Sequence, residues 1–408
     1  MKSLNLVGLD LLLDDSGVWH FLEINENPIG LAFAETLFED YFHKEFKSPI
    51  KEICDVLCQN DALRIGLVLP YKFSVKNSVD EDDFSFSNIG SEITHSTLGI
   101  IDDFRRIKSE LELRGKKCYV LDKNSVFERN GNIISLWGEK LDSVLNRCGI
   151  FHWSQYAGKT RIVNDVRARL VCKNKFLAQK IFFSMGNASK HPSYYSFNQT
   201  VFFENSEKTV SFLSKLSDQD SWIVKKPNWG GGSNGVTRLS AKEALMQVLK
   251  LPFTLSYQTD FMQAAAPNSW ILEEWYPSKP AYKNSNRYQF DVRAILINGN
   301  FVLCHARRAL APSKFLESMP DAEASWLTPL GSGLPIFSEC NADHDGVILT
   351  NEELQGCIAF SESIVKNLER WCGTITCKDM LSFLPQPGKL YGKLSQGIEI
   401  NVQNNLPG

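Results

Sequence analysis

The sequence predicts an α/β protein with a small doubly wound domain followed by a larger region of antiparallel strands. Three observations carry that expectation. Strand, helix and two further strands follow one another between residues 61 and 157, the alternation of a doubly wound sheet. Beyond residue 158 the strands come as hairpins, the clearest turning over Asn298-Gly299-Asn300. An acidic pattern, an Asp in one apolar run and Glu-x-Asn in the next, occurs near the start and again at the end of the chain.

The opening segment reads as a hairpin followed by helices. Asp10 lies in Gly8-Leu9-Asp10-Leu11-Leu12-Leu13, a turn follows at Asp14-Asp15-Ser16-Gly17, and Glu23-Ile24-Asn25 comes after it. Pairing Leu13 with Val18 puts Asp10, Glu23 and Asn25 on one face, because strand side chains alternate. Two carboxylates and an amide so placed suit a hard cation such as magnesium. Leu31 to Leu57 reads as one or two amphipathic helices broken at Ser48-Pro49. With no nucleotide-binding signals ahead of it, residues 1–60 are expected to be the C-terminal remnant of an upstream copy of the later domain, the alternatives being a retained accessory hairpin or helices over 31–57 that fold back to complete that domain.

Arg64-Ile65-Gly66-Leu67-Val68-Leu69 then starts a buried, parallel-type strand. Residues 72–99 are polar and read as a long surface loop. Asp102 to Arg114 is a helix ended by Gly115, and Cys118–Leu121 and 141–147 are strands. The first strand lacks a following GxGxxG, so no dinucleotide site is expected there.

From Asn164 to Met185 the pattern is helical, carrying Lys173, Lys175 and Lys180. Strand Trp222–Lys226 stops at Pro227 and is followed by Gly230, Gly231, Gly232 and Gly235, a run that allows positive φ and close backbone approach to phosphate oxygens. It is no Walker loop, since no GK[ST] follows. Trp270–Tyr276 is a strand running into Pro277, and 290–297 with 301–308 form the Asn-Gly hairpin, bearing Arg293, Arg307 and Arg308. Arginines on strands this apolar mark an anionic partner or a buried ion pair. Residues 311–348 read as a mobile loop containing Pro329-Leu330-Gly331-Ser332-Gly333, Glu352 to Trp371 as a helix, and Asp379 to Asn401 as closing strands.

At 408 residues and 43% hydrophobic content, the chain can bury two to three cores. A net charge of −3 gives no basic footprint for nucleic acid, and no apolar run approaches a membrane span, so neither partner is expected. Met1-Lys2-Ser3-Leu4 enters the first strand without a secretory apolar region, which makes a cytoplasmic location the expectation. The ten cysteines show no CxxC pairing and read as reduced thiols; Cys54 and Cys58, one helical turn apart, lack the further ligands of a metal site.

In order, the helix lysine, the Lys-Pro strand with its glycine loop, the Glu-rich strand, Asp291-Val292-Arg293, Arg307-Arg308, then Asp and Glu-x-Asn resemble the ATP-grasp superfamily of carboxylate-amine ligases. The resemblance implies a pre-ATP-grasp α/β domain over 61–157 and a two-lobed ATP-grasp domain with antiparallel sheets over 158–408. It implies that Lys175 and Lys226, with Lys225 as the alternative to Lys226, meet nucleotide phosphates under the glycine flap, and that Glu273, Glu274, Trp275 and Tyr276 form the adenine and ribose hinge. Arg293 matches the γ-phosphate or acyl-phosphate arginine, and Arg308 or Arg307 the substrate-carboxylate contact. Asp379, Glu399 and Asn401 match the metal ligands, for two magnesium ions or for manganese. The implied activity is ATP-dependent ligation of a small-molecule or peptide carboxylate to an amine through an acyl phosphate; a small-molecule kinase and a non-catalytic nucleotide-binding scaffold are the alternatives.

Overall fold

The computed structural model describes residues 4–42 except 27 and 29; 47–69; 95–147 except 123, 124 and 131; 159–254 except 165, 187–194, 197 and 230–234; 269–309 except 284 and 285; 313; 329–337 except 335; and 347–374. In chain order, β1 (Leu6–Leu13) and β2 (Trp19–Asn25) lead to α1 (Leu31–Phe42) and α2 (Pro49–Leu57). The next unit holds β3 (Arg64–Leu69), α3 (His95–Leu113), β4 (Lys117–Asp122), β5 (Val126–Arg129), β6 (Asn132–Ser135), β7 (Ser143–Asn146) and β8 (Arg161–Ile162). Then come α4 (Val166–Lys173), α5 (Lys175–Gly186), β9 (Tyr195–Ser196), β10 (Thr200–Phe202), α6 (Glu207–Ser217), β11 (Trp222–Pro227), β12 (Thr237–Ser240), α7 (Ala241–Leu249) and β13 (Trp270–Glu274). The last described stretch has β14 (Ala281–Lys283), β15 (Asn286–Tyr288), β16 (Phe290–Ile297), β17 (Asn300–Ala309), β18 (Pro329–Leu334), β19 (Ile336–Phe337), β20 (Val347–Ile348) and α8 (Asn351–Thr374).

The largest sheet has the order β18-β17-β16-β1-β2-β9, so the hairpin at the start of the chain lies beside the arginine strands from near its end. Residues 6–25 therefore share one sheet with strands from residues 290–334. The reason is visible in β1, whose eight residues are all buried. A strand apolar on both faces must be covered on both. Val7, Leu9, Leu11 and Leu13 pack with Trp19 and Phe21 against Ala168, Val171, Leu177 and Phe182 of α4 and α5 and Phe360, Ile364 and Leu368 of α8. On the other face Leu6, Ile295, Ile297 and Leu303 meet Leu31, Ile53 and Leu57 of α1 and α2. That second cover stops partway along the sheet, and the polar side chains of the site occupy the rest.

The hairpin turn is built as the sequence indicates. The Asp14 carboxylate accepts the amides of Ser16 and Val18, each at 2.9 Å, and Gly17 takes φ 83°, the region that favours glycine. Its register differs from the expected pairing: Leu13 faces Trp19, and a bulge between Asp10 and Leu11 brings Asp10 opposite Glu23 and Gly8 opposite Asn25. The shared face survives because the bulge shifts the partner strand by one residue only where the chain turns the site inward. Gly8 is needed for space, since a Cβ there would stand 2.9 Å from Pro28 Cβ.

The order β4-β3-β7-β8 makes a parallel sheet, whose last strand, Arg161–Ile162, lies beyond the 61–157 range of the expected α/β domain. One of its faces shares the core of α1, α2 and α3, and Val68, Leu121 and Val144 on the other pack with Val126 and Ile133 of the β5–β6 hairpin rather than with a described helix. Asp103 of α3 joins this unit to the first helix by accepting the Gly30 and Ala32 amides at 3.0 and 2.9 Å, an N-cap supplied from another element. Arg147 lies 3.3 Å from the same carboxylate, yet burial still pushes Asp103 up to about 6. The Ser48 side chain caps α2 ahead of Pro49, where the sequence places the break.

The smaller antiparallel sheet, β10-β13-β11-β12, packs Val201, Ile223 and Leu272 on Phe212, Leu213, Ala244 and Val248 of α6 and α7. Two expectations change. The helix over Asn164 to Met185 is two helices: the Asn174 amide still bonds the Leu170 carbonyl at 3.1 Å, but the Lys175 and Phe176 amides turn to the Asn228 carbonyl and side chain at 3.1 and 2.8 Å and the Leu177 amide to the Asn174 side chain at 2.9 Å, which bridges Asn174 to Trp229 and starts α5. Pro329–Leu334, read as loop, is a strand paired with β17, whose edge offers it unpaired backbone groups. The 72–94 part of the expected surface loop lies outside the described residues, and α3 begins at His95.

Candidate active site

Adjacent strands of the large sheet bring two opposite charge types into contact. Asp10 on β1 faces Arg293 on β16 directly, and Arg293 faces His305 on β17. Arg293 donates from Nε to Asp10 Oδ1 at 2.7 Å and from Nη2 to Oδ2 at 2.8 Å, a bidentate pair. Arg307 reaches the same carboxylate at 2.9 Å and bonds Asp291 from Nε at 2.8 Å and also through Nη2. The result is an ionic chain, Arg293 to Asp10 to Arg307 to Asp291.

Burial alone would raise the Asp10 carboxyl, but Arg293 and Arg307 overcome it and hold it well below the usual carboxylate range. Asp291 has one shared arginine and feels Asp10's charge, so burial dominates and pushes it up to about 7. His305 is driven down to about 3 by burial and by the two arginines, and is neutral. Its Nδ1 is buried without a hydrogen-bond partner among the described residues.

Beside this chain, Asn25 Nδ2 lies 3.1 Å from Asp10 Oδ2 and 3.2 Å from Glu23 Oε1. Three side chains thus converge on one point. The amide can turn its oxygen to that point instead, as Asn oxygen and nitrogen exchange by a half-turn. Two carboxylates and an amide oxygen fit a hard divalent cation, and they are the residues here that would hold magnesium. No group of three His, Cys, Asp or Glu side chains suited to a metal occurs among the described residues. Asp379, Glu399 and Asn401 lie outside the described residues.

The smaller sheet supplies cations, one of them in contact with the hairpin. Lys226 on β11 pairs with buried Glu273 on β13 at 2.7 Å and donates to the Leu22 carbonyl of β2 at 3.4 Å. That contact places it one residue from Glu23. Lys225, its strand neighbour, points away and sits 3.6 Å from the Phe203 ring centroid and 5.2 Å from that of Trp270. Lys175 opens α5, its amide bonded to the Asn228 carbonyl at 3.1 Å. Burial lowers its pKa, Glu23 and Glu273 oppose that shift, and Lys226 and Lys173 add to it, so the two lysines and two carboxylates share one electrostatic environment.

The hinge residues are fastened to the hairpin. Tyr276 stacks on His20 of β2 with centroids 4.0 Å apart and donates to Glu274 Oε2 at 2.7 Å; His20 in turn meets Asp14 at 2.8 Å. The Trp275 amide bonds the Trp222 carbonyl at 2.8 Å, and Arg238 is held between the Trp222 and Trp275 rings at 3.7 and 4.2 Å. Gly235 has φ 76°, and a Cβ there would stand 2.9 Å from the Trp270 ring, so the descending end of the glycine loop requires glycine on two grounds. Gly230, Gly231 and Gly232 lie outside the described residues. Arg308 faces away from Arg307 and lies over Tyr288 at 4.8 Å.

Sequence reading missed four contributors. Asp291 was legible as a carboxylate two residues from Arg293 on the same face. His305 had the same strand spacing from Arg307. Glu26, buried against Arg169 and 3.5 Å from Lys173, and Asn228, whose Oδ1 accepts the Phe176 amide at 2.8 Å, depend on distant elements and gave no local signal.

A solved structure of a candidate gamma-glutamylcysteine synthetase from Methylobacillus flagellatus matches with TM-score 0.52 and 11% identity, over 91% of this chain and 90% of that one. This chain has the ATP-grasp fold. Two more solved structures align with it: D-alanyl-alanine synthetase A from Vibrio cholerae (TM-score 0.37, 11% identity, 75% of this chain and 81% of that one) and a RimK domain ATP-grasp protein from Sphaerobacter thermophilus (0.34, 10%, 74% and 98%). No protein-family model matches the chain, and no curated protein does. No helix among the described residues is long and apolar enough to cross a membrane.

Proposed function

We propose that this chain is an ATP-dependent ligase that joins a carboxylate to an amine through an acyl phosphate, releasing ADP and phosphate. The observation that supports it is the meeting of Asp10, Glu23 and Asn25 with Arg293 and Arg307 on the large sheet, faced by Lys226 and Glu273 of the smaller one, with Lys226 touching the hairpin itself. Phosphoryl transfer asks the protein for position and charge rather than for a covalent nucleophile, and this site offers both.

Lys175 and Lys226 would neutralise the nucleotide phosphates, and the 274–276 segment, anchored on His20, would hold the base and ribose. Asp10, Glu23 and Asn25 would hold magnesium, which supplies charge neutralisation at the β and γ phosphates. Arg293 and Arg307 would orient the γ-phosphoryl group while a substrate carboxylate oxygen attacks phosphorus and the bond to ADP breaks. The amine nitrogen then attacks the acyl carbon, the bond to phosphate breaks, and the nitrogen loses its proton to the departing phosphate or to water. Arg293 would meet the negative charge that develops on the acyl oxygen. The partners are a small-molecule or peptide carboxylate and an amine.

The test is magnesium-dependent phosphate release from ATP with amino acids and short peptides offered singly and in pairs. Release that needs both a carboxylate and an amine is expected; release with one acceptor alone would make the chain a kinase. Glu23→Gln should lower turnover by about a hundredfold or more, the scale of losing a group that acts in the transition state, and a loss confined to it, with Glu399→Gln measured in parallel, assigns the metal to the hairpin. The reverse pattern would assign the metal to the C-terminal copy of the motif.

A further inference from the structure

Asp10 meets four donor nitrogens, from Arg293 Nε at 2.7 Å, Arg293 Nη2 at 2.8 Å, Arg307 Nη2 at 2.9 Å and Asn25 Nδ2 at 3.1 Å. An ionised carboxylate has about four acceptor positions, so nearly all of its acceptor capacity is spent. The side chain is only 2% exposed, and water cannot take over for a departing partner. The arginines are equally committed, Arg293 to Asp10 and Arg307 to Asp10 and Asp291. In this arrangement a cation cannot be held by Asp10, nor can either guanidinium be turned fully to a phosphate.

Resting on the ligase reading, we propose that Asp10 is an exchange point: it holds the two arginines until a divalent cation replaces them, so that cation binding and arginine delivery to an anionic substrate group are one event. Breaking a buried ion pair without a substitute is costly, whereas exchanging one cationic partner for another is not. The Asn25 amide takes part by turning its oxygen toward the incoming ion. Glu23 is the built-in contrast: its carboxylate touches the Asn25 amide and, although Arg307 feels its charge, it forms no ion pair with an arginine among the described residues, so its loss releases no guanidinium. Coupling of this kind is reciprocal, so the cation strengthens binding of the anion and the anion that of the cation.

The experiment measures ATP binding by calorimetry in EDTA and in magnesium, with no acceptor present. For the wild type, binding should depend strongly on magnesium. Asp10→Asn should free the arginines and raise the metal-free affinity by about tenfold, within the usual range of site coupling, while losing the magnesium enhancement. Glu23→Gln removes the same charge without freeing an arginine, so it should lose the enhancement with little metal-free gain. Equal metal-free gains in the two variants would overturn the exchange. As a check that needs no substitution, arginine-selective nitrogen spectra of the wild type should show two Nε–H signals moving on addition of ATP with magnesium and staying in place with ATP and EDTA; movement in both would overturn it as well. Wild type that binds no ATP even with magnesium would instead overturn the ligase reading beneath it.

Discussion

His305 stands on β17 between Leu303, packed under α1 and α2, and Arg307 in the ionic chain. Its ring is neutral in the fold, with the pKa driven from 6.5 to about 3, while in the unfolded chain it titrates at its ordinary value. The unfolded state therefore binds the extra proton, and this residue's share of the stability is intact above the unfolded value and is lost as pH falls from there toward 3. Asp291, raised to about 7, works with the opposite sign over much of the same range, so the difference between two profiles isolates the histidine. Urea midpoints measured between about pH 7 and pH 4.5 should fall less steeply for His305→Gln than for the wild type. Parallel profiles would mean that the ring is already charged in the fold. Part of this residue chemistry was legible: Asp10, Glu23 and Asn25 share a face by alternation alone, and that face is the one observed. Their arginine partners were not, because nothing local pairs residue 10 with residue 293.

At the scale of elements, Asn174 separates α4 from α5. It caps α5 through the Leu177 amide and ties the helix start to Trp229, which fixes where Lys175 emerges. Asn174→Ala should cost about 1 to 2 kcal/mol in urea unfolding, the upper part of the N-cap range, and should weaken ATP binding through the displaced Lys175. A stability loss with ATP affinity unchanged would detach the cap from the site. The apolar periodicity of this stretch continues through the break, which is why the sequence reads as one helix there. The break comes from a long-range bridge that periodicity cannot encode. β18 was hidden for a different reason: Pro329-Leu330-Gly331-Ser332-Gly333 has little strand preference of its own and extends because β17 presents an open edge. β1, in contrast, was fully readable as an internal strand, since a run of leucines around a single Asp cannot face water on either side.

Across the whole molecule, the hairpin of residues 6–25 is a structural partner of three helices and of the arginine strands rather than an appendage. Removing residues 1–28 would strip Leu9, Leu11, Leu13, Trp19 and Phe21 from the main core, each buried side chain contributing roughly 1.5 to 3 kcal/mol, and would leave β16 with an open edge. The truncated chain should lose its cooperative thermal transition, as followed by circular dichroism. A transition like that of the full chain would show the hairpin to be dispensable. The order of motifs along the chain was enough to indicate the fold class. It does not indicate where the hairpin lies, because Asp10 on β1 pairs with Arg293, 283 positions further along the chain.

That placement also sets a timetable. The bonds joining Asp10 to Arg293 span 283 positions, so β1 is made long before it gains its neighbour on that side. At ribosomal rates of about 5 to 20 residues per second, the interval is on the order of a quarter of a minute to a minute. Throughout it, a leucine-rich strand is displayed to the cell with half its hydrogen-bonding edge unclaimed. Nascent chains arrested before residue 290 should accordingly be bound by chaperones through residues 6–13, and chains released past residue 309 should let them go.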